Sequence, residues 1–382
     1  MRIHFTALRT GLRIMCVSTL QKDLPSIDRT RVKKILVGCH HGIGDVVMIL
    51  PVLERLHHYF INAQMDVFIG NPAEKELIRL LGYGCRCYSF NVKEESGFAL
   101  LSLIKKMRRE RYDLAIDLGW SPRRYDVWLF HLAGCKKIIS GGNTGRFGKR
   151  YIGFEDKRNE HRVVRNMQCL TALGIPAQPI RFPVLNIPEQ VSACMKRKFL
   201  SSCAGKQMVG ICVGTGDFFY RKGLKKHRYD AKQWGYEKFC GLAGELARSG
   251  AQIILFGGEK EKRELDGRSI TFAADAINTI GTTSMTETMA LLNACDLVIG
   301  GDTGLLHCAA ALNKKILAVF GPTDPNIIGP VTPLCRVIQK QRDCIPCYRL
   351  SATRETIECR RRLCLEEISV REVAEEAKRM LE

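Results

Sequence analysis

The chain has 382 residues, room for about two domains at roughly 150 residues each, and its 46% hydrophobic content argues against disorder and fibrous repeats. Lysine and arginine outnumber the acids 59 to 39, and the resulting +20 makes an anionic partner the default expectation. No run approaches the ~18 uncharged apolar residues that a bilayer-spanning helix needs, so integral membrane insertion is excluded.

Taken in chain order, the first thirty residues hold Arg2, Arg9, Arg13 and Lys22 around one short apolar patch, Ile14–Val17, too brief for a signal segment. Residues 1–31 read as a basic arm. From Lys34 onward, short β-branched runs alternate with segments of helical period, the pattern of parallel sheets covered by helices. Strands are expected at Lys34–Cys39, Gln64–Ile69, Leu114–Asp117 and Lys136–Ile139. Helices are expected after the turn at Gly42–Gly44, near Ala73, near Phe98, at Ser121 and Pro122, and over His161–Leu173. Pro176, Pro179, Pro183 and Pro188 then mark an interdomain linker. The alternation restarts with strands at Met208–Val213, Ala251–Phe256, Ala276–Ile280, Leu297–Gly300 and Lys315–Phe320, and with helices over Gln233–Gly250 and Ser284–Cys295. Ser284 with Glu287, and Ser369 with Glu372 at the head of a last helix, match capping boxes. Two such modules imply an α/β protein of two Rossmann-like domains, each with its own core and a parallel sheet, facing each other across a cleft.

Five constellations carry chemistry. Gly42, Ile43, Gly44 and Asp45 follow the first strand directly, where glycines bring backbone N–H groups and a helix N-terminus to the sheet edge. The third glycine of a dinucleotide fingerprint is missing, which weakens a nicotinamide reading. Asp45 there could accept a proton from a substrate hydroxyl, or could simply be a helix-dipole carboxylate. Gly300 to His307 places Asp302, Thr303 and Gly304 at another strand end, suited to a diphosphate and its sugar, with helix capping as the plain alternative. His307 reads either as part of that loop or as a satisfied core histidine. Gly321 to Pro325, with Asp324, is ordinary turn chemistry whose value lies in closing the same edge. Arg221 to Lys232 holds six cations, Lys222 and Lys232 among them, against Asp230 alone. Such a run is either a solvated loop or a cradle for leaving-group phosphates. Cys344, Cys347, Cys359 and Cys364 are enough for a tetrahedral structural zinc or iron, with reduced thiols or a redox-labile pair as the alternative. No catalytic cofactor is indicated. The 17 cysteines, an odd number spread through apparent strands and helices, suit a reducing compartment, so a cytoplasmic protein.

In order along the chain, Lys34–Pro51 (KILVGCHHGIGDVVMILP), Tyr112–Leu118 (YDLAIDL), Lys232-Gln233-Trp234, Phe256–Leu265 (FGGEKEKREL), Asp296–Leu312 (DLVIGGDTGLLHCAAAL) and Phe320–Pro330 (FGPTDPNIIGP) resemble the heptosyltransferases of glycosyltransferase family nine. The resemblance spans about Val32 to Pro330, and the late cysteine cluster looks like one found in part of that family. It implies a GT-B fold, with an acceptor-binding domain over 32–185, a nucleotide-sugar-binding domain over 186–340, and a Cys-rich segment with a C-terminal helix over 341–382. It further implies inverting, metal-independent transfer of a heptose from ADP-heptose to the inner core of lipopolysaccharide. Asp45 matches the family's general base, Lys232 the lysine on the donor phosphate, and Glu261 the acid at the nucleoside ribose. Asp302, Thr303, Gly304 and His307 match the donor-binding loop; Gly42, Gly44, Thr215, Lys222 and Asp324 are further phosphate or cleft candidates. The gap from Gly214 to Lys232 is longer than is usual in the family. The implied partners are a nucleotide-sugar donor, a phosphorylated lipid A-core acceptor and the anionic cytoplasmic leaflet of the inner membrane, where the protein would sit peripherally. The rivals are a protein O-heptosyltransferase acting on autotransporter hydroxyls, a nucleotide-sugar epimerase, and a nucleic-acid-binding protein. The last lacks aromatics interleaved with its basic residues, so no nucleic acid is expected as a partner.

Overall fold

The computed structural model describes residues 27–39, 42–90, 96–119, 125–141, 148, 150–157, 159–215, 232–268, 270–347 and 361–382. The basic arm up to residue 26, the Ser121-Pro122 helix start, most of the basic stretch including Lys222, and Cys359 lie outside them.

The first half is a six-stranded sheet of β1 (Lys34–Cys39), β2 (Gln64–Ile69), β3 (Arg86–Ser89), β4 (Leu114–Asp117), β5 (Lys137–Gly141) and β6 (Tyr151–Phe154), in the order β3-β2-β1-β4-β5-β6. Every neighbouring pair is parallel. Its helices are α1 (Ile43–Tyr59), α2 (Pro72–Arg79), α3 (Gly97–Glu110), α4 (Tyr125–Leu132) and α5 (Arg162–Thr171). The central strands are near-continuous apolar runs because helices cover both faces, and β1 is buried from Ile35 to Cys39. Asn71 opens α2 with a full capping box to Glu74, and Pro72 follows at its first position.

The chain continues through α6 (Glu189–Met195) and a π-helical turn, Lys196–Leu200, into a second six-stranded parallel sheet. This contains β7 (Met208–Cys212), β8 (Gln252–Phe256), β9 (Ile277–Asn278), β10 (Leu297–Gly300), β11 (Lys315–Val319) and β12 (Cys335–Ile338), in the order β12-β11-β10-β7-β8-β9. Its helices are α7 (Tyr236–Arg248), α8 (Glu259–Asp266), α9 (Met285–Ala294), α10 (Gly304–Ala311), the short α11 (Pro325–Ile328) and α12 (Leu363–Glu366), and α13 (Val370–Leu381). Both sheets share one topology, in which the strand order reverses beside the first strand: between β1 and β4, and between β7 and β10. The carboxyl ends of strands at such a reversal leave an open crevice, the usual ligand site of doubly wound sheets.

The apolar interior departs from the expected two cores. One cluster covers the other face of the first sheet with α3 and α4, and another covers the far face of the second sheet with α7 and α13. The largest runs between the sheets and is shared, joining Val46, Ile49 and Leu53 of α1 to Met289 and Leu292 of α9 and to Leu306 and Ala309 of α10. The proline-rich stretch is packed on the first half: Asn186 N–H donates to the Leu80 carbonyl at 2.7 Å, and Arg55 donates to the Pro179 carbonyl at 3.1 Å. At Ser369 only half of the expected box forms. Its hydroxyl accepts from Glu372 N–H at 3.1 Å, while the Glu372 carboxylate turns to Lys340 at 2.7 and 2.9 Å. No helix among the described residues is long and apolar enough to cross a membrane.

Candidate active site

In the first half, β1 delivers the chain to Gly42, the N-cap of α1, so that Asp45 falls in the first helical turn, half-buried. That position favours a carboxylate through the helix dipole. The Asp45 carboxylate makes no hydrogen bond among the described residues. Near it lies buried Glu74, whose carboxylate accepts from Gly70 N–H at 2.6 Å and Asn71 N–H at 3.3 Å. Burial pushes the Glu74 carboxyl up to about 8, against those hydrogen bonds.

In the second half, Asp302 follows β10 at the strand-order reversal. Lys232 Nζ lies 2.8 Å from Asp302 Oδ2, and only 9% and 10% of these two side chains is exposed, so the two opposite charges are buried against each other. The same oxygen accepts from Thr323 Oγ1 at 3.0 Å. Gln339 fixes the loop that carries Thr323 by donating to the Gly321 and Thr323 carbonyls at 2.9 and 2.8 Å. Asp302 is therefore not a helix cap: it is committed to the lysine and the threonine. Thr303 occupies the N-cap of α10 but makes no side-chain cap bond.

Lys232 is held from behind. The Trp234 indole, 1% exposed, donates to the Ile368 carbonyl at 3.0 Å and meets the Phe239 ring edge-on, and Gln233 reaches the Val213 carbonyl at 3.4 Å. On the adjacent turn, Glu261 is buried in the first turn of α8 and accepts from Gly258 N–H at 2.8 Å. A Cβ at Gly214 would lie 2.4 Å from the Glu261 carboxyl carbon, so glycine there is what lets the carboxylate occupy the strand end. Thr215, the next residue, is half-buried.

The two halves meet at these strand ends. The N-termini of α1 and α10 touch through glycines: a Cβ on Gly304 would fall 2.9 Å from the Gly44 nitrogen, and one on Gly44 would fall 3.1 Å from His307 Cδ2. His307 is buried between them. Burial lowers its proton affinity, while the charges of Asp302 and Asp45 oppose that shift. Two further contacts cross between the halves. His161 Nε2 lies 2.9 Å from the Gly329 carbonyl, and Glu76 accepts from Thr286 N–H and Oγ1 at 2.9 and 3.1 Å. Burial holds His161 down to about 4, against its hydrogen bond to Gly329. Asp324, half-buried, caps α11 through Asn326 N–H at 2.9 Å and acts electrostatically on His161.

The structure thus brings together Gly42, Gly44, Asp45, Lys232, Asp302, Thr303, Gly304 and His307, with Glu261 and Thr215 at the neighbouring end of β7 and Asp324 closing the edge. The sequence reading valued the Gly321–Pro325 turn only for its place and overlooked Thr323, Gln339 and His161. Their partners are 21, 18 and 16, and 168 residues away, and no local spacing signals them. The expected metal cluster finds no support. Among the described residues no three His, Cys, Asp or Glu side chains group to hold an ion, Cys344 is exposed, and Cys364 is buried in the α12 core contact.

Two Rossmann-like halves whose order-reversal ends face each other constitute the GT-B arrangement of a glycosyltransferase. Residues 100–357 match the model of Glycosyltransferase family 9 (heptosyltransferase). The chain is 26% identical over 334 residues to lipooligosaccharide heptosyltransferase 2 of Haemophilus ducreyi, covering 80% of this chain and 88% of that one. It superposes on a solved glycosyl transferase of family 9 from Veillonella parvula with a TM-score of 0.75, at 19% identity over 93% of this chain and 98% of that one. The solved ADP-heptose lipopolysaccharide heptosyltransferase II of Escherichia coli gives 0.68 at 22% identity, covering 91% and 98%. The chain belongs to glycosyltransferase family 9, the heptosyltransferases, and is a glycosyltransferase enzyme.

Proposed function

We propose that the protein transfers a heptose from ADP-heptose to the inner core of lipopolysaccharide, with inversion and without a catalytic metal, at the cytoplasmic face of the inner membrane. The observation that carries this reading is the contact of two helix N-termini through Gly44, Gly304 and His307, which brings the turn of Asp45 from one half against the loop of the Lys232–Asp302 pair from the other. The donor nucleotide and the acceptor class follow those of the relatives, which include lipooligosaccharide heptosyltransferase 2 and an ADP-heptose enzyme.

In this mechanism the acceptor hydroxyl attacks the anomeric carbon as the bond to the diphosphate breaks on the opposite face, and Asp45 takes the hydroxyl proton. Lys232 and the N–H groups of Gly42, Gly44, Thr303 and Gly304 at the two helix N-termini offset the charge that grows on the leaving diphosphate, the task a metal performs in other transferases. Asp302 holds a heptose hydroxyl and keeps Lys232 extended toward the phosphate. Glu261 meets the ribose, with Thr215 beside it; His307 and Asp324 complete the donor side; Lys222, outside the described residues, stays a phosphate candidate by its sequence position. Contact between the halves excludes water from the donor and so favours transfer over hydrolysis.

Purified protein incubated with ADP-heptose and core acceptor from a strain deleted for this gene should add one heptose to the acceptor by mass spectrometry, with activity surviving EDTA. An acceptor of unchanged mass, or free sugar released without acceptor, would reject the reading. The structural zinc or iron on Cys344, Cys347, Cys359 and Cys364 rests on the cysteine spacing and on the family resemblance. Elemental analysis decides it: about one equivalent of metal per chain retains the site, and none removes it.

A further inference from the structure

The acceptor in the reading above hangs from a bilayer, and the outermost layer of the first half presents a surface that the transfer chemistry does not use. Eight large apolar side chains are exposed among the described residues, and four of them lie on α3 and α4: Phe98 at 85%, Leu101 at 56%, Trp128 at 51% and Leu132 at 51%. The inner side of α3 already satisfies the core, with Met107 buried and Leu100, Leu103 and Ile104 packed beneath. Phe98, Leu101, Lys105, Arg108 and Arg109 recur at helical spacing along the outer side, apolar at the N-terminal end and cationic at the other.

The cations are grouped, and no described acid offsets them. Lys105, Arg108, Arg109 and Arg111 line one open basin, and none of the four forms an ion pair among the described residues. Glu110, the one acid of α3, is committed to Lys34 and Arg86. The Arg108 stem passes Gly134, at about 3.8 Å from where a Cβ would be, which brings the cationic end beside Leu132 at the end of α4. In a parallel βαβ layer the helices run against the strands, so the first turn of α3, with Phe98, lies at the same sheet edge as Asp45.

We propose that the outer face of α3 and α4 docks on an anionic lipid bilayer, with Phe98, Leu101, Trp128 and Leu132 entering the headgroup boundary and Lys105, Arg108, Arg109 and Arg111 meeting lipid phosphates. Apolar insertion beside a cluster of four cations is the chemistry of a phospholipid surface; each such cation contributes about fivefold in binding near an anionic leaflet. The proposal deepens the transfer reading, on which it rests for the presence of a bilayer, by stating which face meets it. Docking there places the acceptor edge of the first sheet at the membrane and leaves the second half toward solvent for donor exchange.

Flotation of the whole protein with vesicles tests it, comparing phosphatidylglycerol mixed into phosphatidylcholine with phosphatidylcholine alone. Wild type should float only with the anionic vesicles, and R108A/R109A and F98S/L101S should each weaken that binding by about tenfold or more. All three should transfer equally to a de-acylated, water-soluble acceptor, while both variants slow on vesicle-embedded acceptor. Variants that float like wild type, or wild type that floats equally on neutral vesicles or not at all, overturn the docking face. So does a dimer seen by light scattering that the variants abolish without vesicle binding, since the face would then belong to a second copy. Selective flotation by a protein that transfers no sugar upholds the docking face and rejects the transfer reading instead.

Discussion

At the scale of single residues, the division of labour between Asp45 and the Lys232–Asp302 pair can be separated by substitution. Asp45→Asn keeps shape and removes the proton acceptor, so kcat should fall by ~10² or more while the donor KM moves little. Steady-state kinetics with near wild-type turnover would dismiss Asp45 as the base. Lys232→Met leaves the Asp302 carboxylate buried without its cation and should destabilise the protein by about 3 kcal/mol. The double variant Lys232→Met/Asp302→Leu should recover most of that loss in urea unfolding yet transfer no heptose, because stability needs the pair balanced while the reaction needs it charged. Recovery of activity along with stability would reduce the pair to a structural role. Both carboxylates were visible in the sequence because each sits directly after an apolar strand in a glycine-rich turn. The Asp302 partners were not, since Lys232 is 70 positions earlier and Thr323 lies in another loop.

At the scale of elements, the grip on Lys232 runs through Trp234 to the end of the chain. The indole donates to the Ile368 carbonyl just ahead of α13, and Lys238 Nζ reaches the Leu365, Glu366 and Ile368 carbonyls at 2.9, 2.8 and 3.2 Å. Helix α13 packs on α7 in the same core as Trp234. Trp234→Ala should therefore cost about 3–5 kcal/mol and speed hydrogen exchange along Val370–Leu381 as well as around Lys232. Exchange in α13 that stays at the wild-type rate would break this link. The central strands and long helices matched their expected places to within a residue or two at most boundaries, as the apolar runs are long and glycines or caps bound them. Of the edge strands, β9 was expected within Ala276–Ile280, while β3, β6 and β12 escaped notice: β3 is Arg-Cys-Tyr-Ser and β12 Cys-Arg-Val-Ile, short and partly polar because one side of each lacks a neighbouring strand. Helix α8 escaped notice for the opposite reason, its Glu-Lys-Glu-Lys-Arg-Glu run carrying almost no apolar period.

At the scale of the whole molecule, stability should follow two buried groups with opposite slopes. The folded protein keeps His161 neutral down to about 4, whereas the unfolded chain protonates it near 6.5; stability from this group is lost as pH falls through that window. His307, also pushed down by burial, acts in the same direction. Glu74 holds its proton up to about 8 in the folded state and releases it near 4.5 in the unfolded one, so its contribution is lost as pH rises from 4.5 to 8. The slopes oppose each other between 4.5 and 6.5 and leave a net decline from 6.5 to 8. Glu74→Gln should abolish that decline, by at most about 1.4 kcal/mol per pH unit for one proton, and uncover the loss toward acid pH. Urea midpoints measured from pH 4.5 to 8 check this, and a Gln variant that still weakens above 6.5 would reject the assignment to Glu74.

By itself the sequence determined the α/β alternation, the order-reversal turns and the chemical identity of the residues placed there, because all of these are written in runs of fewer than about twenty neighbouring residues, within reach of strand and helix periodicity. The tertiary structure alone decided that the two sheets share one apolar interior, that Gly44 and Gly304 bring two helix N-termini into contact, and that His161 and Glu76 tie the halves together. Those contacts join positions more than a hundred residues apart. They depend on shape and burial summed over whole helices, and no local spacing encodes such a sum.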